Sequence, residues 1–198
     1  MTTLYLVRHG HTAVADAGII AGFTDVNLSP SGEVSVAELV SSMADLPPVQ
    51  FHSSDLLRAV HTAQILGGQK VIRDSRLREL NFGDWEGCTW DQVYEQDAEY
   101  LAAWSDNWIK IAPPGGETFA QLASRAGDWL AEVSTELPDS TLVVAAHGGS
   151  IRALICLALR VPLDSAMKFS ISHAHVSKLV VASTGTRCAF VNGCGFNG

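Results

Sequence analysis

The sequence predicts an α/β fold, and more specifically a three-layer α/β/α sandwich with a mainly parallel central sheet. Three observations support this prediction. Short apolar runs, typical of buried strands, alternate with segments in which apolar residues recur at helical spacing. Glycine and proline separate many of these segments. Two of the apolar runs lead closely into a His-Gly pair, and strands that alternate with helices form a sheet covered on both faces.

An apolar run and a capping pattern indicate the first strand and the first long helix. Leu4–Val7 is short and apolar, which predicts a buried strand. Ser29 and Pro30 form a typical N-cap followed by a first-turn proline. The helix that they open carries apolar residues at helical spacing, namely Val36, Leu39, Val40 and Met43.

A second strand and a second helix follow in the same order. Two consecutive prolines end the first helix, and Val49–Phe51 then predicts a strand. The next helix is expected to begin near Ser54 or Asp55, since both residue types are favoured N-caps. It is expected to end at the glycine pair at positions 67 and 68.

The second half of the chain continues the alternation. A longer helix is marked by apolar residues at Phe119, Leu122, Ala126 and Val133. Thr141–Ala146 is a buried strand by composition, and it leads into His147, two glycines and another helix. The apolar residues of that helix are Ile151, Leu154, Ile155, Ala158 and Leu159. The runs "SKLVVAS" and "CAFVN" predict two closing strands.

Length and composition predict a single domain over residues 1–198. Hydrophobic residues make up 47% and charged residues 17%, as in a globular enzyme. No run approaches the roughly 18 apolar residues of a membrane span, so no membrane partner is expected. The first residues lack the features of a signal peptide, which favours a cytoplasmic protein. A net charge of −8 argues against nucleic acid as a partner, and any anion site must therefore be local.

Three polar clusters fall where parallel sheets bind ligands, outside the carboxyl ends of strands. They are Arg8-His9-Gly10, the segment from Ser53 to Arg58, and His147-Gly148-Gly149. Arg58 is informative because a cation in the first turn of a helix opposes the helix dipole. Its position makes sense if the guanidinium and the helix end share one anion. Together the clusters favour an anion site over separate structural roles.

A metal site is the alternative that the first cluster raises. His9 and His11 form a His-x-His pair of the kind found in metal-dependent (β/α)₈ barrels, which need roughly 250 residues. This chain is too short for such a barrel, and the positive charges of Arg8 and Arg58 would repel a metal ion. His173 and His175 form a second pair, which in an alternating strand would face one side with no carboxylate nearby in sequence. No metal and no cofactor are expected.

Four segments together resemble the signature of one family. In order along the chain, "LVRHGHT", "SSDLLRAVHTA", "LRELNFGDWEG" and "VVAAHGGSIR" are similar to segments of the histidine phosphatase superfamily, also called phosphoglycerate mutase-like. The resemblance implies the phosphoglycerate mutase-like fold and a phosphohistidine intermediate on His9. It implies that the catalytic residues are His9, Glu79, Arg8, Arg58 and His147. It implies that the substrate contacts Arg8, Thr12, Gly22, Arg58, His147 and Gly148. The implied partner is a small phosphorylated substrate, and a homodimer is compatible with the sequence.

The chemistry of phosphoryl transfer supports these roles independently. Two guanidinium groups and an imidazole can neutralise the phosphoryl oxygens without a metal ion. A departing alkoxide needs a proton, which Glu79 can donate before it activates the attacking water. The nucleophile must be a neutral imidazole, and Gly10 is expected to let the substrate approach the backbone beside it. His11 is expected to be a bystander.

Hydrolysis is favoured over the mutase reaction. A lid or insertion is expected at about residues 84–116, and from residue 80 to residue 124 the only basic residue is Lys110. The same region contains the acidic residues Asp84, Glu86, Asp91, Glu95, Asp97, Glu99 and Asp106. A mutase must bind a second acidic group, which a negative lid disfavours. The mutase motif also ends its first loop with Trp-Asn, where residues 14 and 15 are Val and Ala.

The lid segment also indicates the substrate. Its aromatic residues are Trp85, Trp90, Tyr94, Tyr100, Trp104 and Trp108. Most are expected to hold the lid together, and one or two to stack on a flat, uncharged substrate group. The segment "YEQDAEYLAAWSDNWIKIAPPGGETFAQLASR" resembles that of α-ribazole phosphatases, which implies α-ribazole 5′-phosphate as substrate, in cobalamin nucleotide-loop assembly. A broad-specificity histidine phosphatase or a phosphoglycerate mutase-type enzyme is the alternative.

Overall fold

Strands and helices alternate through most of the chain in the computed structural model, which describes residues 1–198. The strands are Thr2–Arg8 (β1), Gln50–Ser53 (β2), Val71–Arg73 (β3), Thr141–Ala146 (β4), Val176–Ala182 (β5) and Gly185–Gly193 (β6). The α-helices are Ala13–Asp16 (α1), Pro30–Glu38 (α2), Leu57–Ile65 (α3), Trp90–Asp106 (α4), Phe119–Glu136 (α5) and Gly148–Leu159 (α6). Short 3₁₀ helices span Leu39–Met43, Ser75–Leu77, Gly83–Trp85 and Leu163–Lys168.

The six strands form one sheet in the order β3-β2-β4-β1-β5-β6. β1 lies inside the sheet, where it pairs in parallel with β4 and antiparallel with β5. β2 pairs in parallel with both β3 and β4, and β6 pairs antiparallel with β5. The predicted α/β sandwich with a mainly parallel sheet is confirmed, with two antiparallel pairings at one side.

The alternation of side chains along β1 shows how both faces of the sheet are covered. Leu4 and Leu6 are fully buried, in a cluster with apolar residues of α5 and α6. Tyr5 and Val7 face the other way and pack in a second cluster with Val36 of α2. Because successive side chains of a strand point to opposite sides, one short apolar run contributes to both layers of the core.

The ends of four strands define one edge of the sheet. Arg8, Ser53 and Ala146 end β1, β2 and β4, which run in parallel. β5 runs the opposite way, and its first residue, Val176, lies opposite Val7 of β1. The segment that precedes β5 therefore reaches the same edge as the three polar clusters.

The start of α3 and the exposure of Val40 differ from expectation. α3 begins at Leu57 rather than near Ser54 or Asp55, and its first N–H donates to Asp25 Oδ1 at 2.7 Å. Val40 is 43% exposed because α2 continues there as a 3₁₀ helix, whose tighter winding turns this side chain out of the apolar face.

Three of the strands and α-helices were not predicted, namely α1, β3 and α4. α1 has only four residues and β3 only three, and Val93 is the one buried residue of α4. α4 occupies most of residues 84–116, whose assignment as a lid stays a prediction.

No helix of the structure combines the length and the apolarity that are needed to cross a membrane.

Candidate active site

His9 follows β1 and is held by its backbone and by one ring contact. Its N–H donates to Ala146 O of β4 at 3.0 Å, and its Nδ1 lies 2.7 Å from Gly10 O. A carbonyl can only accept, so this contact places the ring proton on Nδ1 and the lone pair on Nε2. The side chain is buried, with 5% exposure, and its ring lies in the wall of the cavity described below.

Gly10 is crowded by the protein rather than open to a substrate. A Cβ atom at this position would lie 2.5 Å from Gly32 O and 2.9 Å from a methyl carbon of Val36. Both neighbours belong to α2. The expectation that Gly10 lets a substrate approach is therefore wrong, because this glycine instead lets α2 pack against the loop that carries His9.

Arg8 and Arg58 bring two guanidinium groups to the site, and both are held by carbonyl oxygens. Arg8 Nη1 donates to Ile171 O at 2.6 Å. Arg58, at the second position of α3, donates from Nη2 to Gly22 O at 2.6 Å and from Nη1 to Thr24 O at 2.9 Å. Neither arginine takes part in any ion pair of the structure. Carbonyl groups leave both positive charges uncompensated, which suits an anionic ligand.

Glu79 lies against the N-terminus of α6. Gly149 N donates to its Oε1 at 2.9 Å and to its Oε2 at 3.2 Å, and Leu80 N donates to Oε1 at 2.9 Å. A Cβ atom on Gly149 would overlap Glu79 Oε1, so glycine is required where the carboxylate meets the helix. Arg125 holds the segment from behind, with Nη2 donating to Glu79 O at 2.7 Å.

His147 precedes α6 and lies behind His9. Its ring is fully buried, and its centroid is 5.0 Å from that of His9. Neither ring nitrogen has a hydrogen-bond partner, whereas the backbone N–H donates to Ser150 Oγ at 3.1 Å. Gly148 lies beside Arg8, since a Cβ atom there would be 3.5 Å from the guanidinium carbon.

The electrostatic setting keeps both histidines neutral. Burial lowers the pKa of His9 well below its ordinary value, and the positive charge of Arg58 lowers it further. The same two causes, in the same order, lower the pKa of His147. Burial also lowers the pKa of Arg8 and Arg58, while the nearby Glu79 carboxylate acts in the opposite direction. The site therefore combines fixed guanidinium charges with an unprotonated imidazole.

A cavity of about 340 Å³ brings most of the predicted residues together. The predicted residues in its wall are Arg8, His9, Thr12, Gly22, Arg58 and Glu79. Thr12 also caps α1, where its Oγ1 accepts from Ala15 N at 3.1 Å. His147 and Gly148 are not in the wall. The arrangement can hold a phosphoryl-sized anion between two cations, with a nucleophile and a carboxyl group at hand.

Comparison with known proteins identifies the family. A profile of the histidine phosphatase superfamily (branch 1) matches residues 4–193. The chain belongs to this superfamily.

Several named relatives of this histidine phosphatase are phosphatases. It is 35% identical over 172 residues to a glucosyl-3-phosphoglycerate phosphatase of Mycolicibacterium vanbaalenii, covering 82% of this chain and 76% of the relative. It is 30% identical over 171 residues to an adenosylcobalamin/α-ribazole phosphatase of Salmonella typhimurium, covering 85% of each chain. The solved α-ribazole phosphatase of Shigella flexneri superposes with a TM-score of 0.91 at 26% identity, covering 98% of this chain and 97% of that one. The enzyme is a phosphoric monoester hydrolase.

His173 belongs to the site of this histidine phosphatase and was not predicted. Its ring lies in the cavity wall, with its centroid 5.1 Å from that of His9 and 4.3 Å from that of His11. The expectation that His173 and His175 share one side of a strand is wrong. Both precede β5, and Ala174 between them has a φ of +51°, a turn conformation that an alternating pattern cannot reveal.

The histidines around His173 differ in exposure. Burial and the charge of Arg8 lower the pKa of His173 to about 3, so this ring is neutral. His11 is half-exposed, and its Nδ1 lies 3.0 Å from Asp16 Oδ1. No group of three or more His, Cys, Asp or Glu side chains is arranged to hold a metal ion.

Arg152 is a further residue near the site to which no role was assigned from the sequence, although it ends the motif "VVAAHGGSIR". Its Nε donates to Phe169 O at 3.0 Å, and its Nη1 would lie 3.0 Å from a Cβ atom on Gly148. Burial lowers its pKa, while the Glu79 carboxylate raises it. A third guanidinium therefore lies close to the carboxylate of this histidine phosphatase, outside the main cavity.

The aromatic residues of the lid segment divide as expected between packing and the cavity. Trp85 is buried, and its ring meets those of Trp90, Tyr100 and Trp104 edge-on at centroid distances of 5.3 to 6.2 Å. Trp90 stacks on Trp104 at 5.6 Å and also lines the cavity together with Phe82. One lid tryptophan therefore joins the packed cluster to the wall that a substrate would meet.

Proposed function

We propose that this enzyme hydrolyses phosphomonoesters through a phosphohistidine formed on His9 Nε2. One observation carries the proposal: a neutral imidazole, two guanidiniums without carboxylate partners and a carboxylate all line one cavity. A phosphomonoester dianion matches the two positive charges. Each feature has a different part in the two half-reactions.

In the first half-reaction, His9 Nε2 attacks phosphorus while the bond to the leaving oxygen breaks. The hydrogen bond from Nδ1 to Gly10 O fixes the tautomer that makes this lone pair available. Arg8 and Arg58 hold the equatorial oxygens, whose charge they neutralise before and during the transfer. We assign His147 an auxiliary contact with the same group, because its ring lies 5.0 Å from that of His9 and its two ring nitrogens have no hydrogen-bond partner.

Glu79 transfers a proton in both half-reactions. In its protonated form Glu79 donates a proton to the leaving oxygen as the ester bond breaks, so the product departs as an alcohol. The resulting carboxylate then takes a proton from water as the water oxygen attacks phosphorus and the bond to His9 breaks. Inorganic phosphate leaves, and both residues return to their starting states. The position of the carboxylate in the same cavity wall supports this role.

We propose that the substrate is α-ribazole 5′-phosphate and that the enzyme acts in cobalamin nucleotide-loop assembly. This molecule has one phosphate, which is attached to a ribose that carries a flat aromatic base. The outer wall of the cavity is mostly apolar, and its residues are Ala15, Ile19, Ile20, Ala21, Phe82 and Trp90. It contains no cation besides Arg8 and Arg58, which favours an uncharged leaving group. The likeness to the Salmonella and Shigella phosphatases supports the same choice.

The first experiment compares phosphate release from four substrates in the presence of EDTA. These are α-ribazole 5′-phosphate, glucosyl-3-phosphoglycerate, 3-phosphoglycerate and p-nitrophenyl phosphate. We expect α-ribazole 5′-phosphate to have the highest kcat/KM, EDTA to have no effect, and a His9→Ala variant to release no phosphate. The second and third substrates carry a carboxylate, for which the cavity offers no further cation. Similar rates on all four would contradict the substrate proposal and indicate a broad-specificity enzyme.

A further inference from the structure

The loop Gly22–Thr24 connects Arg58 to a residue outside the catalytic set. Gly22 O and Thr24 O accept from the two terminal nitrogens of Arg58, at 2.6 and 2.9 Å. A guanidinium has five N–H donors in a rigid plane, so two fixed acceptors determine the direction of the remaining three. The position of this loop therefore sets the orientation in which Arg58 meets a phosphoryl group.

The loop is in turn held by Glu86, from the segment just before α4. Glu86 Oε1 accepts from Phe23 N at 2.7 Å and from Phe82 N at 3.2 Å. Glu86 Oε2 accepts from Thr24 N at 2.7 Å and from Thr24 Oγ1 at 2.5 Å. Four donors converge on one carboxylate, which is the side chain with the greatest capacity to accept.

Backbone contacts between the two segments support the same connection. Ile20 N donates to Cys88 O, and Gly87 N donates to Ile20 O, both at 2.9 Å. Gly22 has a φ of +51°, and a Cβ atom on it would overlap Glu86 Oε1. The loop therefore follows the base of the lid segment closely, with glycine required where it passes the carboxylate.

We propose that Glu86 is a positioning residue that orients Arg58 for the phosphoryl group, through the carbonyls of Gly22 and Thr24. The proposal rests on the proposed function, in which Arg58 binds the phosphoryl oxygens. Glu86 touches neither the nucleophile nor the proton donor, and its effect passes through the loop. Burial lowers the pKa of Arg58, and the nearby charges of Glu79, Asp25 and, least of the three, Glu86 act in the opposite direction.

A double-mutant cycle tests this proposal. Glu86→Gln keeps the size of the side chain but replaces one acceptor oxygen with an NH₂ group that faces N–H donors. We measure kcat/KM for p-nitrophenyl phosphate and the inhibition constant for inorganic phosphate in the wild type, Glu86→Gln, Arg58→Ala and the double variant. Glu86→Gln should lower kcat/KM by about 10²-fold, as expected for a displaced binding group, and weaken phosphate binding. In the Arg58→Ala background the same change should cost less than about threefold, because nothing remains to be oriented.

Two further variants separate orientation from a general loss of stability. Thr24→Val, at an exposed position, removes only the hydroxyl donor and should give a smaller effect with the same coupling to Arg58. Asp74→Asn is the matched control, since this half-buried carboxylate holds Arg76 in a turn and does not contact the loop. Its effect should be equal in both backgrounds. Equal losses from Glu86→Gln with and without Arg58 would overturn the positioning role, whereas unchanged phosphate binding in Arg58→Ala alone would overturn the proposed function.

Discussion

At the scale of single residues, one short contact decides which atom of His9 can react. The Nδ1 proton faces Gly10 O, which leaves Nε2 as the atom that attacks in the proposed mechanism, and burial beside Arg58 keeps the ring unprotonated. Glu79 is equally constrained, because the Gly149 N–H, in the first turn of α6, donates to both of its oxygens. These two side chains start from separate segments of the chain, and the sheet edge brings them to one cavity.

A Glu79→Gln variant tests the proton donor. An amide cannot protonate an alkoxide, so kcat/KM for an alkyl phosphate should fall by about 10²- to 10³-fold. The p-nitrophenolate ion leaves without needing a proton, so the loss on p-nitrophenyl phosphate should be less than about tenfold. Steady-state kinetics on the two substrates gives the comparison. Equal losses on both would contradict the role, since they would indicate a disturbed phosphate site rather than a missing proton.

The sequence predicted the charged and nucleophilic residues of the cavity but not all of their neighbours. Arg8, His9, Arg58 and Glu79 line it together, as the motifs indicated. His173 was missed because its position depends on a left-handed turn at the following alanine, and a pattern of apolar and polar residues contains no sign of that turn. The role of Gly10 was misjudged for a related reason, since only the fold shows that α2 presses against it.

At the scale of elements, α4 links the packing of the lid segment to the cavity. The helix opens with Trp90, whose capping residue, Thr89, forms a capping box with Gln92. The ring of Trp90 stacks on Trp104 on one side and lines the cavity on the other. An aromatic ring fixed in this way can stack on a flat base with little loss of side-chain entropy.

Replacing Trp90 should therefore change substrate preference. Trp90→Ala should raise KM for α-ribazole 5′-phosphate by about tenfold and leave KM for a small alkyl phosphate nearly unchanged. Tyr94→Ala, one turn further along α4, removes an exposed ring that does not line the cavity and serves as the control. If Trp90→Ala raised KM equally for both substrates, the ring would be supporting the site as a whole rather than contacting the base.

The elements themselves were predicted where the signals were local. Strands β1 and β4 and helices α5 and α6 carry their own apolar patterns, and each was found close to its expected bounds. The start of α3 was misplaced because the first N–H of the helix, that of Leu57, donates to Asp25 from a distant loop rather than to the adjacent Ser54 or Asp55. The direction of β5 was also out of reach, since an apolar run forms a strand equally well in either orientation.

At the scale of the whole molecule, the buried histidines connect the site to stability. His9 and His147 are neutral in the folded protein, with pKa values well below the ordinary value. Below about pH 6.5 the unfolded chain binds protons at these positions and the folded chain does not. Each histidine therefore makes its full contribution to the free energy of unfolding above that pH, and this contribution falls as the pH decreases.

Chemical denaturation across this range tests the argument. Between pH 7.5 and pH 5 the free energy of unfolding should decrease, and His9 and His147 together should account for roughly 4 kcal/mol of the decrease, measured with urea in buffers without phosphate. In a His147→Gln variant, the slope of the free energy of unfolding against pH should be smaller by about 1.4 kcal/mol per pH unit near pH 5. His61→Gln, at a half-exposed position of α3, is the control. An unchanged slope in the His147 variant would show that this ring is protonated in the folded protein.

The central position of β1 has a consequence for how the protein is made. β1, which directly precedes the proposed nucleophile, is translated before both of its neighbours in the sheet, and these begin only at Thr141 and Val176. An apolar strand must therefore wait, unpaired on both edges, while most of the chain is synthesised. Pairings of such long sequence separation close slowly. His9, the proposed nucleophile, is thus translated long before the strands that fix its position.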